Sequence, residues 1–148
     1  MLITPHFLTG VAISQGIPET APAALAAVSS HFVLDAIPHR DTVGGHHLNT
    51  GNVVLVLLDG LLALALWWWL VPETNRWYAF TIGMFACLPD LFEVPGIFWE
   101  KWNSLPIQKQ FHHWHGPILQ FAREPVSWGI GLLPQILMAI VAIYFIVR

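Results

Sequence analysis

Five mainly apolar stretches alternate with short polar segments along the chain. The clearest stretch, residues 52–71, is about 20 residues long, which is the length that a bilayer-spanning helix requires. The other stretches cover residues 1–17, 21–37, 77–94 and 127–147. Proline, glycine and polar residues separate them. The pattern therefore predicts an all-α fold, an integral membrane bundle of about five membrane helices.

The first stretch also has features of a secretory signal peptide, because the small residues of APAALAA just downstream would suit cleavage. It lacks the basic start that such peptides have, and His6 interrupts it. We interpret it as a short first membrane helix. The longest connection, residues 96–126, holds one further helix between Leu105-Pro106 and Gly116-Pro117. Its apolar residues recur at helical spacing, which predicts a short interfacial helix on the membrane surface.

Composition supports a single membrane-embedded domain, residues 1–148. Hydrophobic residues make up 55% of the chain and charged residues 10%, against about 25% charged residues in a soluble domain. The net charge of −3 and the lack of a basic patch argue against nucleic acid as a partner. Cys87 is the only cysteine, so no disulfide can form within the chain. The oligomeric state is left open.

Residues 30–40, SHFVLDAIPHR, place ionisable side chains on an otherwise apolar helix. His31, Asp35 and His39 recur every four residues, and positions four apart lie on one helix face. Pro38 can bend or end the helix, so His39 need not keep that phase. The bland alternative is a helix whose polar residues hydrogen-bond to a neighbour. We favour a metal site, because ionisable groups at membrane depth are costly and usually functional.

The alternating direction of five helices sorts the polar groups between two membrane faces. One face, called the site face from here on, holds the connections 39–50 and 96–126. All eight histidines fall on this face or in its half of the membrane, together with the acids inside the apolar stretches. The opposite face has only Glu19 and Glu73, which both lie in turns. The topology therefore predicts one convergent cluster.

Tryptophans and basic residues fit the same arrangement. Four of the eight tryptophans flank the turn near residues 72–75, and four lie on the site face. They are expected to form two aromatic belts at the membrane surfaces. Four basic residues lie on the site face against two on the opposite face, so the positive-inside rule makes the site face cytoplasmic.

The cluster has the chemistry of a zinc site. Zinc binds imidazole and carboxylate groups, and a catalytic zinc ion takes three protein ligands and a water molecule. The candidates suffice for two or three zinc ions, or another divalent metal, and Asp35 is the best bridge because it has candidate ligands on both sides. Two metals roughly 3.5–4 Å apart would activate water and stabilise phosphoryl charge. The candidate metal ligands are His6, His31, Asp35, His39, Asp59, Asp90, His112 and His115.

Further roles follow from position. Glu93 is the candidate general base and Arg40 the candidate phosphate contact. A site that opens at headgroup level implies a lipid or lipid-linked phosphate as substrate and membrane lipid as partner. Asp59 has a second interpretation, as a structural acid hydrogen-bonded to His31. The histidines expected in solvent or on the surface are His46, His47 and His113.

Four motifs in the chain point to a family. They are the early TPHFLTG, the central SHFVLDAIPHR, Leu88-Pro89-Asp90 and the late FHHWHGP. These motifs resemble the bacterial membrane-bound metal-dependent hydrolases, described as inner-membrane hydrolases and similar in outline to zinc-dependent phospholipase C. The resemblance covers most of the chain through short motifs. It implies a bacterial inner-membrane protein in which an HxxxD helix supplies ligands to zinc ions that cleave phosphodiesters.

Residue by residue, the resemblance places His31 and Asp35 at the HxxxD motif. It places His6 at the early histidine of the family and Asp90 at the Pro-Asp position. The chain also departs from the family pattern. Phe92-Glu93 replaces the usual second acid, and His39-Arg40-Asp41 is what remains of a His-Arg-Gly-x-Thr-His run.

Three other functions compete with a hydrolase. A metal-ion or proton transporter would also place acids and histidines in its membrane helices, but it would continue polar groups through to the opposite face. A haem protein needs two facing histidines in apolar surroundings, where carboxylates are poor neighbours. A structural protein whose helices are held together by a metal remains open, because closed and open zinc sites share the same ligands.

Overall fold

The computed structural model describes residues 1–40, 50–119 and 126–148, which form helices and no strand. His46 and His47, expected in solvent, lie outside the described residues. A 3-10 turn, Glu73–Asn75, joins the third and fourth helices, and a π-helical segment, Trp114–Leu119, follows the seventh. In chain order the helices are α1 Ile3–Gly16, α2 Thr20–Asp35, α3 Thr50–Leu70, α4 Arg76–Glu93, α5 Pro95–Phe98, α6 Glu100–Ser104, α7 Pro106–His113 and α8 Trp128–Val147.

The described residues confirm an all-α fold and include helices that could cross a membrane, but they do not confirm the number of spans. Among the described residues, three helical segments are long and apolar enough to cross a membrane: α3, residues Glu73–Phe98 and α8. Helices α1 and α2 have 14 and 16 residues. At 1.5 Å per residue they are roughly 21 and 24 Å long, shorter than a hydrocarbon core of about 30 Å. The predicted total of about five membrane helices is therefore not confirmed.

Helix α1 occupies the centre of the bundle. It packs against α2, α3, α4 and α8, and its residues from Thr4 to Ser14 are buried or partly buried. Helix α3 differs sharply, since only Ala63 and Trp67 are buried along its 21 residues. Its remaining surface is mostly leucine and valine, which suits contact with lipid tails. The polar side chains of the short central helix are thus shielded from lipid by its neighbours.

Two glycines bring α1 and α4 into close contact. A Cβ atom on Gly10 would lie 2.7 Å from the backbone oxygen of Ile82, and one on Gly83 would lie 2.7 Å from the ring of Phe7. Small residues at such crossings allow membrane helices to approach closely. The approach fixes the distance between the start of α1 and the end of α4, where polar side chains gather.

The segment after α4 stays helical where an end was expected. Pro95-Gly96 was predicted to stop the span, but α5 starts at Pro95 because proline is well tolerated in a first helical turn. A short helix is present in this connection as α7, and Gln108 is buried on one side of it while Ile107 is 66% exposed on the other. The predicted end at Gly116-Pro117 is wrong, because the π-helical segment runs through both residues. The π-helical segment then carries His115 back towards the bundle.

The turn between α3 and α4 carries an aromatic cluster, called the aromatic end from here on. Trp67 packs against Trp77 and Phe80, with ring centroids 5.8 and 5.0 Å away. The guanidinium of Arg76 lies 4.2 Å from the centre of the Trp68 ring. Trp68, Trp69 and Trp77 are exposed as an aromatic belt requires, but Trp67 is buried. The expectation that every tryptophan anchors the interface is wrong for Trp67, which belongs to the core.

Candidate metal centre

Four residues from three parts of the chain meet at the opposite end of the bundle. His31 and Asp35 come from α2, Asp90 from α4 and His115 from the π-helical segment. Each offers one metal-ligating atom, and the four atoms lie within 4.8 Å of one another. The group could hold a metal ion. We call this group the cluster.

The distances inside the cluster suit a single ion. His31 Nε2 lies 3.2 Å from Asp35 Oδ2 and 3.5 Å from Asp90 Oδ1. His115 Nε2 lies 3.1 and 3.9 Å from the same two oxygens, and the two Nε2 atoms are 3.1 Å apart. A tetrahedral ion with bonds of about 2.0–2.1 Å separates its ligand atoms by roughly 3.3–3.4 Å. The observed spacings bracket that value.

The hydrogen bonds of the two histidines indicate which ring nitrogens face the cluster. His31 Nδ1 is 2.8 Å from the carbonyl oxygen of Ala86, and His115 Nδ1 is 3.2 Å from Glu93 Oε1. Those oxygens can only accept hydrogen bonds, so both Nδ1 atoms carry the proton. In its neutral form, each ring then directs the lone pair of Nε2 into the cluster. Two nitrogen lone pairs and two carboxylates therefore face one another with no donor between them, unless a proton or a metal ion supplies the positive charge.

The electrostatics of His115 lead to the same conclusion. Burial lowers the pKa of this imidazole, but hydrogen bonds to Asp35 and Glu93 outweigh the burial and raise the pKa to about 9. The negative charge that holds a proton on His115 also attracts a divalent cation to the same place. Metal binding here would displace that proton.

The second oxygen of Asp35 faces further candidate ligands. Oδ1 lies 3.1 Å from His6 Nε2 and 3.9 Å from His39 Nε2, and it also contacts the amino group of Met1. His39 Nδ1 donates to the carbonyl oxygen of Ile37, so its Nε2 lone pair is directed to Asp35. His6 stacks on His31 with ring centroids 4.0 Å apart. Asp35 thus has imidazoles on both sides.

Glu93 lies behind the cluster. One of its oxygens, Oε1, is 3.2 Å from His115 Nδ1 and 3.3 Å from His112 Nδ1. Carboxylates in this position orient the ring of a metal-binding histidine and make it more basic. His112, whose side chain is 47% exposed, is therefore one step removed from the four cluster residues.

Two predicted site residues take other positions. Asp59 accepts a hydrogen bond of 3.0 Å from the backbone N–H of Thr4, near the start of α1. Its partner is therefore that helix end, where a carboxylate complements the helix dipole, and not the predicted His31. Arg40 is held on α8: its Nη1 donates to Val126 O, and its guanidinium lies 5.0 Å from the centre of the Trp128 ring.

Sequence reasoning missed a polar residue that organises this end. Gln135 is buried in α8, accepts from the backbone N–H of Leu2 and donates to the carbonyl oxygen of Arg40. It is the lone polar side chain in the run GLLPQILMAIVA, next to Pro134. That isolation in an apolar helix was the available signal.

The cluster is closed on one side and open on another. The side chains of His31 and Asp35 are fully buried, whereas that of Asp90 is 41% exposed. About one helical turn deeper, the residues are Ala27 on α2 and Ala86 on α4, both fully buried. The cluster is therefore open at Asp90 and rests on an apolar layer.

Comparisons of the chain with protein-family models, with curated proteins and with solved structures find no match. The resemblance to the membrane-bound hydrolases remains an interpretation of short motifs. The function must therefore be inferred from the geometry of the cluster and from the membrane setting of the bundle.

Proposed function

We propose that this protein is a membrane-embedded, zinc-dependent hydrolase that cleaves a phosphate ester of a lipid or lipid-linked substrate. The observation that carries the proposal is the convergence of two imidazole lone pairs and two carboxylates on one point. When bound, zinc supplies a water nucleophile at neutral pH and neutralises charge on a phosphoryl oxygen. The contacts of His6 and His39 with Oδ1 support a second ion, with Asp35 as the bridge.

The other residues of the site have supporting roles. Glu93 acts as a positioning residue, because it contacts the Nδ1 atom of His115 and lies away from the metal-facing Nε2. That geometry favours orientation of the ligand over the general-base role inferred from the sequence. The exposed side of Asp90 is the route by which a substrate phosphate approaches. Arg40 contributes positive charge on the same side of the bundle.

The membrane setting supports the substrate class. Three candidate spans embed the bundle in lipid, and the cluster lies where α2 and α4 end, near the expected membrane surface. A phosphate at headgroup depth would therefore reach the cluster without leaving the bilayer. The motif resemblance favours a bacterial inner membrane, and the distribution of basic residues favours its cytoplasmic face.

The apolar layer favours hydrolysis over transport. A cation that left the cluster for the opposite face would pass Ala27, Ala86 and Ile82, which are fully buried and offer no ligand side chain. Transporters line such a route with polar or ionisable groups. A purely structural metal would be expected in a closed site, whereas the Asp90 carboxylate is partly exposed.

The test uses the full chain purified in detergent. Metal content is measured by plasma mass spectrometry, and hydrolysis is followed on bis(p-nitrophenyl) phosphate and on a phospholipid, with and without EDTA. We expect bound zinc and hydrolysis that EDTA abolishes. Zinc flux into liposomes without hydrolysis of either compound would overturn the proposal in favour of a transporter. Bound metal with neither activity would overturn it in favour of a structural metal.

A further inference from the structure

An apolar groove of about 250 Å³ runs between α3 and α8 on the outside of the bundle. Its walls are leucines of α3 and the first turns of α8, and Leu2 forms part of its floor. Leu58 and Trp128 are 58% and 45% exposed, so the groove is open to the surroundings of the bundle. The lining residues are Leu2, Leu55, Leu58, Asp59, Leu62, Trp128 and Leu132.

The one acid in this groove is already engaged. Asp59 Oδ2 accepts a hydrogen bond from the backbone N–H of Thr4, which lies at the positive end of the α1 dipole. The backbone oxygen of Asp59 accepts a second hydrogen bond from the Thr4 hydroxyl. The rest of the lining is apolar. The groove therefore suits a hydrocarbon chain, and its two walls are helices long and apolar enough to cross a membrane.

A cation lies at the end of the groove nearest the membrane surface. The guanidinium of Arg40 lies over the ring of Trp128, which is the first residue of α8. Among the described residues no carboxylate pairs with Arg40, and its buried Nε has no hydrogen-bond partner there. An arginine beside an apolar groove is complementary to a phosphate attached to a hydrocarbon chain.

The groove and the cation both adjoin the cluster. Leu2 follows Met1, whose amino group contacts Asp35 Oδ1, and Arg40 follows His39, whose Nε2 is 3.9 Å from the same oxygen. Gln135 joins the two sides, because it accepts from Leu2 N–H at 2.8 Å and donates to Arg40 O at 3.0 Å. Leu2 in the groove and Arg40 are therefore each next in sequence to a residue that contacts Asp35 Oδ1.

We infer that the α3–α8 groove binds the hydrocarbon chain of a lipid whose phosphate contacts Arg40. The inference rests on the proposed function only for the later step, in which the bound lipid is cleaved at the cluster. Binding itself is independent of catalysis and can be measured without it. The occupant is a membrane lipid with a phosphate headgroup.

The chain supplies its own control groove. A second apolar groove of about 270 Å³ lies between α1 and α8 and is lined by Ala12, Met138 and Val141 among others. Val141 is 46% exposed, comparable with Leu58, but no charged side chain lines that groove. Leu58→Trp fills the proposed groove and Val141→Trp fills the control groove with the same side chain.

The experiment uses phosphatidic acid that carries a photoreactive diazirine in its acyl chain, with the full chain in nanodiscs of phosphatidylcholine. Cross-linked peptides are mapped by mass spectrometry. We expect labelling on residues 55–62 and 128–132, reduced about tenfold by Leu58→Trp and unchanged by Val141→Trp. Arg40→Gln should reduce labelling by about tenfold, because a hydrogen bond between charged groups contributes that much to affinity. The same probe without its phosphate should label wild type as weakly as phosphatidic acid labels Arg40→Gln.

The outcomes separate this inference from the proposed function. Equal labelling of both grooves, or labelling that ignores the phosphate, would overturn the groove as a phospholipid site even if bis(p-nitrophenyl) phosphate is hydrolysed. Selective labelling in a protein that hydrolyses nothing would support the groove and overturn the hydrolase. If both hold, Leu58→Trp should slow hydrolysis of the phospholipid, and Val141→Trp should leave it unchanged.

Discussion

The two ends of the bundle are built on different principles. At the aromatic end, two aromatic side chains donate to backbone oxygens: the indole N–H of Trp67 donates to Arg76 O, and the hydroxyl of Tyr78 donates to Ile17 O. At the cluster, two Nε2 atoms and two carboxylates converge, and a proton or a metal ion can lie between them. The contacts of the aromatic end involve no such group, whereas the cluster could hold a metal ion. Substitutions at the two ends should therefore differ in whether metal is lost.

The largest difference should come from Asp35→Asn. The amide keeps the size of the side chain but removes the negative charge that the imidazoles on both sides of Asp35 face. We therefore expect the loss of about one equivalent or more of bound metal and of all hydrolysis. Glu73→Gln, the same change in an exposed acid at the aromatic end, should alter neither. Metal analysis and the phosphodiester assay measure both. Full metal occupancy in Asp35→Asn would remove this residue from the centre of the site.

Removal of the metal should destabilise the protein by a smaller amount. A ligand present at 100 times its dissociation constant stabilises the folded state by about 2.7 kcal/mol, and EDTA abolishes that contribution. Thermal unfolding in detergent should therefore begin at a lower temperature with EDTA in wild type. Asp35→Asn should unfold at the same temperature with and without EDTA. An EDTA effect of equal size in both proteins would mean that metal binds elsewhere.

Substitution of Glu93 should weaken metal binding at the cluster without abolishing it. Loss of a carboxylate that orients a metal-binding histidine lowers metal affinity about 10–100-fold. Glu93→Ala should show this loss in competition with a chromophoric chelator, and Glu93→Gln should recover part of it because the amide oxygen can still accept from His115. Glu100→Gln on α6 is the matched exposed control. Unchanged affinity in Glu93→Ala would argue for a role other than positioning.

The smallest effect is expected at the aromatic end. Trp67→Phe keeps an aromatic ring but removes the donor to Arg76 O, which should cost about 1 kcal/mol of stability. Metal content and the EDTA-dependent shift in unfolding temperature should remain as in wild type, because Trp67 lies outside the cluster. Loss of metal in Trp67→Phe would mean that the two ends are not independent.

Sequence patterns predicted the two longest helices, and the residues of the cluster were all among the candidate ligands. The apolar stretch 52–71 corresponds to α3, and 127–147 to α8, because lipid-facing helices keep uninterrupted apolar runs. His31, Asp35 and Asp90 stood out as ionisable residues in apolar surroundings. Because successive helices run in opposite directions, the sequence alone predicted that these three residues lie at the same end of the bundle.

The remaining features depend on packing that no local pattern encodes. Asp59 was a candidate metal ligand, but its carboxylate accepts a hydrogen bond from the backbone N–H of Thr4 at the start of α1. Glu93 was a candidate base, but the π-helical segment turns the Nδ1 atom of His115 towards it. Trp67 is buried because α4 packs across it. These outcomes depend on helix rotation and on the close contact at Gly10, which spacing alone does not fix.

The enclosure of α1 also constrains how the protein is made. This helix carries His6, Thr4 and Ser14 at buried positions, so the bilayer by itself is a poor environment for it. Helices α3, α4 and α8, which enclose much of it, are synthesised after it. We therefore expect α1 to stay at the membrane surface, or bound to the insertion machinery, until those helices have been synthesised. Assembly of this protein should be limited by that late step, and its first helix should be the segment most exposed to quality-control proteases before the bundle closes.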